Sequence, residues 1–329
     1  MRSRAAEHRL PAGSDWLFET IFFLFKAMNE LRKVPVTASY ALLTAVKNEA
    51  EYLPLTLESV AKQTLAPTYW IVVDDGSTDA TPQILAAYAE KHRYIRLLHR
   101  SETRRSFSSK ARALNQALEY LVDLLKSRGQ HLDFVGVCDG DVSFGPDYYA
   151  ELIKRMEGDS RLGIVGGWVH ELQRGRFDAR ADNREHSVAG CTQFFQLFRL
   201  MDLGSFMDSP YGGEDWIAEL RIRARGLEVR SFRDLAILHH KPSVASDWMS
   251  ASRQAFRVGR MDAFVGCFWW FHLLRSVRRW RARPAVLGVL LRGAGYLYQR
   301  LTGGTQLTGE VLESFHREQR RRVSRLLTS

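Results

Sequence analysis

Short apolar runs alternate with longer amphipathic segments between residues 36 and 245 of this chain. The first four runs predict buried strands, and glycine or acidic residues follow several of them. Between the strands, apolar residues recur at i, i+3 and i+4 spacing, most regularly over 108–128, which is typical of amphipathic helices. Strands that alternate with helices indicate βαβ units, so the pattern predicts an α/β domain with a mainly parallel sheet. The four strands are predicted at Tyr40–Val46, Trp70–Val73, Ile95–Leu98 and Phe134–Cys138.

The second half of this region is less regular. Further strands are predicted at Gly163–Trp168, Thr192–Phe198 and Ile237–His240, and a helix at Trp216–Arg225 ends before Gly226. Residues 170–189 are polar and charged, which predicts a loop over the site.

An apolar segment, Trp16–Met28, lies within the first 35 residues. It contains Glu19 and Lys26 and is shorter than the about 20 residues that a membrane-spanning helix needs. It also lacks a cleavage site of small residues, so we expect no secretory signal. The segment is either a helix packed on the α/β domain or an interfacial helix on a membrane.

The character of the chain changes at residue 246, where aromatic residues and arginines become frequent. Residues 245–329 contain fifteen arginines and five acidic residues, so they carry the whole net charge of +10. We expect a helical, amphipathic extension over 246–329 that associates with anionic lipid at the inner face of the cell membrane. The alternative is a packing or dimer face. Nucleic-acid binding would also suit arginine, but aromatic residues among the arginines favour a membrane interface.

Three cysteines stand far apart, and no CxxC pair occurs. The sequence therefore predicts neither a disulfide framework nor a zinc site, and a reducing compartment is the simplest interpretation.

Acidic residues follow the ends of predicted strands in three segments. Ligands of open α/β sheets bind in the crevice outside the carboxyl ends of the strands. Carboxylates gathered there would repel one another unless a cation joined them, and Mg²⁺ or Mn²⁺ also binds phosphate oxygens. The pattern predicts a metal–diphosphate site built from Asp74 and Asp75, Asp139 and Asp141, and Glu214 and Asp215.

Five short blocks, in this order, resemble the family 2 glycosyltransferases, the inverting enzymes with the GT-A fold. The resemblance covers about residues 36–245 and implies a Rossmann-like α/β domain. The blocks are Thr44-Ala45-Val46-Lys47-Asn48-Glu49, Val72-Val73-Asp74-Asp75-Gly76-Ser77-Thr78-Asp79, Asp139-Gly140-Asp141, Gly212-Gly213-Glu214-Asp215 and Leu238-His239-His240.

The resemblance also implies a role for individual residues. Asp215 would be the general base, with Glu214 beside it. Asp139, Asp141 and His239 would hold the divalent ion, although His240 is an alternative to His239. The donor would be bound by Thr44, Val46, Asn48, Glu49, Asp74, Asp75, Lys110, Asn115, Asp139 and Gly140. Lys110 and Asn115 could equally lie on a solvated helix face.

The expected reaction is transfer of a hexosyl group from a UDP- or GDP-sugar to a lipid-linked or polysaccharide acceptor, as in exopolysaccharide synthesis. Processive relatives carry a QxxRW signature, but here Val258 follows Arg257, which implies a single addition. A nucleotidyltransferase, or a sugar-nucleotide-binding protein without transfer activity, is the alternative. The sequence leaves the oligomeric state open.

Overall fold

The computed structural model describes residues 38–100, 108–173, 175–241, 248–280 and 284–327. The predicted N-terminal segment 1–35, with its apolar helix, lies outside these residues.

Nine strands lie within the described ranges: β1 (Tyr40–Val46), β2 (Tyr69–Asp74), β3 (Ile95–His99), β4 (Phe134–Val137), β5 (Val142–Phe144), β6 (Leu162–Gln173), β7 (Arg176–Ala179), β8 (Phe194–Gln196) and β9 (Glu228–His239). Ten helices lie in the same ranges: α1 (Leu53–Ala61), α2 (Thr81–Lys91), α3 (Ser109–Arg128), α4 (Tyr148–Gly158), α5 (Leu197–Asp202), α6 (Glu214–Ala224), α7 (Trp248–Phe264), α8 (Trp269–Arg278), α9 (Ala285–Thr302) and α10 (Gly309–Leu327).

All nine strands belong to one sheet of order β3-β2-β1-β4-β8-β6-β9-β5, with β7 paired to β6. The first four strands of that order are parallel, and so are β6 and β9. β8, β5 and β7 pair antiparallel with their neighbours. The predicted α/β fold is confirmed, and its sheet is mixed, with the parallel part centred on β1.

The sequence patterns predicted the strands in the second half of the sheet less accurately. The interpretation of 170–189 as a loop was wrong at its start, because β6 continues to Gln173 and turns back as β7. The strand predicted at Thr192–Phe198 has three strand residues and then continues into α5. Exposed charged residues interrupt β9, so its apolar pattern predicted only the last part of the strand.

Alternate residues of the central strands pack on opposite faces of the sheet, as strand geometry requires. Leu42 and Trp70 join a core with α1, α2 and α4. Leu43 and Ile71 join a second core with α3, α5 and α6. The sheet is therefore covered on both faces, and its strand ends remain as the place for a site.

The C-terminal helices pack on α6 through a third apolar cluster, which includes Ile217, Phe264, Phe271 and Phe315. Helices α7 and α9 cross with their backbones in contact. A Cβ atom on Gly259 would lie 1.9 Å from the carbonyl oxygen of Arg292, and one on Gly295 would lie 2.1 Å from that of Phe256. Glycine is required at this crossing because any side chain would separate the two helices.

We predict that Gly295→Ala lowers the free energy of unfolding by about 1–3 kcal/mol, the usual cost of overpacking. Gly293 lies on the same helix, and a Cβ there would meet nothing within 4 Å. Gly293→Ala should therefore raise the free energy of unfolding, by up to about 1 kcal/mol from helix propensity. Urea denaturation of both variants measures the difference. Equal effects of the two substitutions would contradict the close crossing of α7 and α9.

Candidate active site

The predicted acidic residues come together at the carboxyl ends of β1, β2 and β4. Val46, the last residue of β1, is paired with Asp74, the last residue of β2. Asp139 follows β4 by two residues, and Asp141 directly precedes β5. The sheet therefore gathers acids that are far apart in sequence.

Asp74 and Asp75 are both buried, and each is fixed by several contacts. Asp74 accepts a hydrogen bond of 3.0 Å from the backbone N–H of Ser77 and lies 3.5 Å from Nδ1 of His99. Asp75 accepts a hydrogen bond from the hydroxyl of Ser109, at the start of α3, and lies 3.5 Å from Nε of Arg100. Their carboxylates are thus rigidly placed beside β3 and α3.

The turn after β1 is locked to the turn after β2. Asn48 has a positive φ of 55°, and its side chain accepts a 2.7 Å hydrogen bond from the backbone N–H of Thr78. Glu49 pairs with Lys241 at 2.6 Å. Burial raises the pKa of Glu49, and the nearby Asp141 raises it further, while Lys241 opposes both effects.

Lys110, on the first turn of α3, is the cation at the centre of the acidic cluster. Its ammonium group lies 2.7 and 2.8 Å from the two carboxylate oxygens of Asp139 and 4.0 Å from Glu214. Burial alone would lower the pKa of Lys110, but Asp139 and Glu214 outweigh it and raise the pKa well above the usual value. The side chain therefore stays charged at neutral pH and joins two distant parts of the chain.

Asp141 is a buried carboxylate whose charge is only partly compensated. Burial and the adjacent charge of Asp139 raise its pKa to about 6, against the opposing effect of Lys110. Its Oδ1 atom is buried and has no hydrogen-bond partner among the described residues. Such an oxygen is expected where a cation or a ligand binds.

His239 lies beside Asp141, whereas His240 does not. The Nε2 atom of His239 is 3.6 Å from Oδ2 of Asp141. The Nε2 atom of His240 is instead hydrogen-bonded to the hydroxyl of Ser143 at 2.8 Å. Burial and the neighbouring Arg180 lower the pKa of His239, which favours the neutral imidazole that metal ions require.

Within the described ranges, no group of three or more His, Cys, Asp or Glu side chains is close enough together to hold a metal ion. Mg²⁺ and Mn²⁺ in nucleotide sites are usually held by one or two protein groups, with phosphate oxygens and water completing the shell. The unpartnered oxygen of Asp141 and the neutral His239 fit that arrangement. The carboxylate of Asp139, which was predicted as a third metal ligand, forms an ion pair with Lys110.

Glu214 and Asp215 begin α6, after two glycines with positive φ, Gly212 and Gly213. Oδ1 of Asp215 accepts a 2.8 Å hydrogen bond from the backbone N–H of Trp216. Burial raises the pKa of Glu214, and Asp215 adds to this effect, while Lys110 opposes it. The pair thus lies on the opposite side of Lys110 from Asp139.

Comparison with known proteins shows the family to which this chain belongs. The sequence model of glycosyl transferase family 2 matches residues 42–211, about half of the chain. The chain belongs to glycosyl transferase family 2. It is accordingly a glycosyltransferase, as the ordered acidic blocks predicted.

Curated relatives match at low sequence identity, and the match covers only part of each relative. The poly-β-1,6-N-acetyl-D-glucosamine synthase of Staphylococcus aureus (strain COL) is 24% identical over 253 residues, which are 71% of this chain and 57% of the synthase. The EpsH protein of Bacillus subtilis (strain 168) is 28% identical over 137 residues, 42% of this chain and 36% of EpsH. The chain therefore spans between one third and about three fifths of these relatives.

Solved structures support the GT-A fold. The mannosyltransferase PcManGT of Pyrobaculum calidifontis, in complex with GDP-Man and Mn²⁺, matches with a TM-score of 0.51 and 19% identity over 87% of this chain and 84% of that one. Residues 1–349 of S. aureus TarS, in complex with UDP-GlcNAc, match with a TM-score of 0.50 and 16% identity, over 81% of this chain and 73% of that one.

Three residues of this family 2 enzyme that were predicted to bind the donor lie close together at β1 and the turn after β4. The buried hydroxyl of Thr44 donates a 2.6 Å hydrogen bond to the carbonyl of Cys138 and accepts one from the indole of Trp70. Val46 is also buried. A Cβ on Gly140 would lie 2.7 Å from the side chain of Val46, so glycine lets the Asp139–Asp141 segment cross β1 closely.

The amide of Asn115 has a structural role instead. It donates to the carbonyl of Phe206 at 2.8 Å and accepts from the N–H of the same residue at 2.7 Å. These two bonds tie α3 to the segment before α6, and we leave Asn115 out of the proposed donor site.

Two residues of the site were not predicted from sequence. The carboxylate of Asp215 packs against Gly190, where a Cβ would lie 2.5 Å from Oδ2. Lys241 pairs with Glu49 across the site. Gly190 directly follows the polar segment 170–189 that was interpreted as a loop, and no local pattern marks it. Lys241 could have been noticed as the cation two residues after His239.

Proposed function

We propose that this glycosyltransferase is an inverting, metal-dependent enzyme that moves a sugar from a nucleotide-diphosphate donor to an acceptor hydroxyl. The observation that carries the proposal is the Lys110 ion pair, which holds Asp139 on one side and Glu214, next to Asp215, on the other. This geometry supports a donor site and a base that are held at a fixed separation.

The donor is a UDP- or GDP-sugar. PcManGT was solved with GDP-Man and TarS with UDP-GlcNAc, and both share the fold of this chain. In our proposal the nucleoside lies beside Asp74, Asp75 and Asn48. Asp139, oriented by Lys110, contacts the ribose or the transferred sugar.

Asp141 and His239 would hold a divalent ion, Mg²⁺ or Mn²⁺, together with the diphosphate of the donor. When bound, such an ion neutralises the negative charge of the departing diphosphate. The neutral imidazole of His239 and the partnerless oxygen of Asp141 suit this role.

Asp215 would act as the general base, since a positioned carboxylate can accept a proton in the transition state. The acceptor hydroxyl loses its proton to Asp215 as its oxygen bonds to the anomeric carbon. The bond from that carbon to the diphosphate breaks on the opposite face, so the configuration inverts. Glu214, held near Lys110, positions the start of α6.

The acceptor is proposed to be lipid-linked or a growing glycan at the inner face of the cell membrane. Helix α9 exposes leucines at helical spacing, of which Leu290 and Leu297 are 66% and 62% exposed. Helix α8 exposes Trp269 to 66%, and Leu273 and Val277 follow on the same face. An exposed apolar face among arginines supports binding in the headgroup region of a membrane. Among the described helices, none is both long enough and apolar enough to cross a bilayer.

Asp215→Asn should lower turnover at least about 10²-fold, because it removes the proton acceptor and keeps the shape of the side chain. Donor affinity should be retained. Turnover is measured as release of UDP or GDP, and the product anomer is determined by NMR. Asp123→Asn changes a 77% exposed aspartate on α3 and serves as the control. Normal turnover of Asp215→Asn, or a retained anomeric configuration, would refute the assigned base.

Asp141→Asn should weaken Mn²⁺ binding in the presence of UDP at least about tenfold, as expected for loss of a ligand group. Electron paramagnetic resonance measures bound Mn²⁺ without any need for turnover, and chelation should abolish transfer. Asp147 is exposed and makes no side-chain cap bond at the start of α4, so Asp147→Asn is the matched control. Full transfer in the presence of a chelator would remove the metal from the proposal.

The full-length protein should bind vesicles with anionic lipid more tightly than neutral ones, and less tightly in high salt. Changing both Leu290 and Leu297 to Ser should weaken binding at least about tenfold, because buried leucine contributes about 1.5 kcal/mol or more. Both side chains are exposed, so the fold should survive. Leu55→Ser changes an exposed leucine on α1 and serves as the control. Equal vesicle binding of all three proteins would show that α9 does not contact the membrane.

A further inference from the structure

A pocket of about 460 Å³ lies beside α6, and none of the acidic residues of the candidate active site line it. Residues 182–187 and helices α6, α8 and α10 line it. The family match ends at residue 211, so most of this lining comes from parts of the chain outside the match. The polar side chains that matter here are Arg184, Arg223, Arg275, Arg279, Arg322 and Gln319.

Positive charge exceeds negative charge in this pocket, since five arginines and three acidic residues line it. Arg223 is paired with Glu219 at 2.8 Å, and Arg322 is paired with Glu318. Among the described residues, neither Arg184 nor Arg279 has a carboxylate partner. Nη1 of Arg184 donates hydrogen bonds to the carbonyls of Ala181 and Asn183, so the other N–H groups of Arg184 and the guanidinium of Arg279 are left for an anion. Guanidinium is well suited to phosphate oxygens.

Gln319 adds an independent observation. It is 1% exposed, and its Oε1 atom accepts a 2.9 Å hydrogen bond from the backbone N–H of Phe268, which fixes the amide. Its Nε2 atom is buried and has no hydrogen-bond partner in the described part of the chain. A buried donor without a partner is costly, and Gln319 is one of the residues that line the arginine pocket.

Two helices that line this pocket, α6 and α8, also belong to other functional parts of the proposed enzyme. Trp216 and Glu219 line it from α6, and Trp216 directly follows Asp215. Helix α8 supplies Phe271 and Arg275 to the pocket and exposes Leu273 and Val277 elsewhere on its surface. The pocket therefore shares α6 with the proposed base and α8 with the apolar face that we propose to contact the membrane.

We propose that this arginine pocket binds a phosphate or diphosphate group, and that in the enzyme this group belongs to the acceptor. The anion is recognised by Arg279, Arg184 and the amide of Gln319. The proposal that the pocket binds phosphate depends on the pocket residues alone. The proposal that this phosphate belongs to the acceptor rests on the proposed sugar transfer. The phosphate could belong to a soluble acceptor or to the headgroup of a lipid.

The test is calorimetric titration of the full chain with inorganic diphosphate, in chelator and without a sugar donor, so that failure of the transfer reaction cannot affect it. Arg279→Gln should weaken binding at least about tenfold, as for loss of a charge-assisted hydrogen bond. Gln319→Glu keeps the acceptor for Phe268 and replaces the free donor by a negative charge, so binding should be lost. Arg278→Gln changes the neighbouring arginine, which does not line the pocket, and should bind as the wild type does.

Vesicles distinguish the two sources of the phosphate. If Arg279→Gln weakens binding both to free diphosphate and to phosphatidate vesicles, but Arg278→Gln does not, the pocket takes a lipid-borne phosphate. If only the binding of free diphosphate is weakened, the phosphate comes from a soluble acceptor. Diphosphate binding that is absent in the wild type, or equal in Arg279→Gln and Arg278→Gln, would overturn the proposal.

Discussion

The ion pair between Lys110 and Asp139 is the interaction on which the site depends. Six other carboxylates lie around the same site, and like charges in a partly buried place raise each other's pKa and repel. Lys110 compensates Asp139 directly and Glu214 at 4.0 Å. Because Asp139 follows β4 and Glu214 begins α6, one cation on α3 joins the central sheet to the start of the helix that carries Asp215.

The position of the acidic residues could be predicted from sequence because it follows mainly from the geometry of the sheet. The carboxyl ends of parallel strands meet at one edge, so Asp74 and Asp139 had to lie near each other once β1, β2 and β4 were identified. Sequence alone could not decide between His239 and His240. Neighbouring residues of a strand face opposite sides, and the pairing of His239 with Val142 on β5, a three-residue strand without a clear pattern, sets which one faces Asp141.

What could not be predicted depends on contacts between segments that are distant in sequence. Asn115 lies on the expected helix, yet its amide is used by Phe206, ninety-one residues later. Gly190 is needed because Asp215 packs on it, and neither residue carries a local signal of that contact. The last residues of β6 and the ends of β7 are exposed, and most residues of this hairpin are polar or charged, so it lacks the apolar alternation on which prediction relies.

Helix α6 links the two halves of the enzyme. Its first residues, Glu214 and Asp215, belong to the carboxylate cluster, and Ile217 and Leu220 belong to the apolar cluster of the C-terminal helices. Because α6 has 11 residues, it cannot shift at one end without moving at the other. The position of Asp215 is therefore set by α7, α8 and α10 as much as by the family 2 domain. It follows that the C-terminal helices help to position Asp215, the base in our proposal.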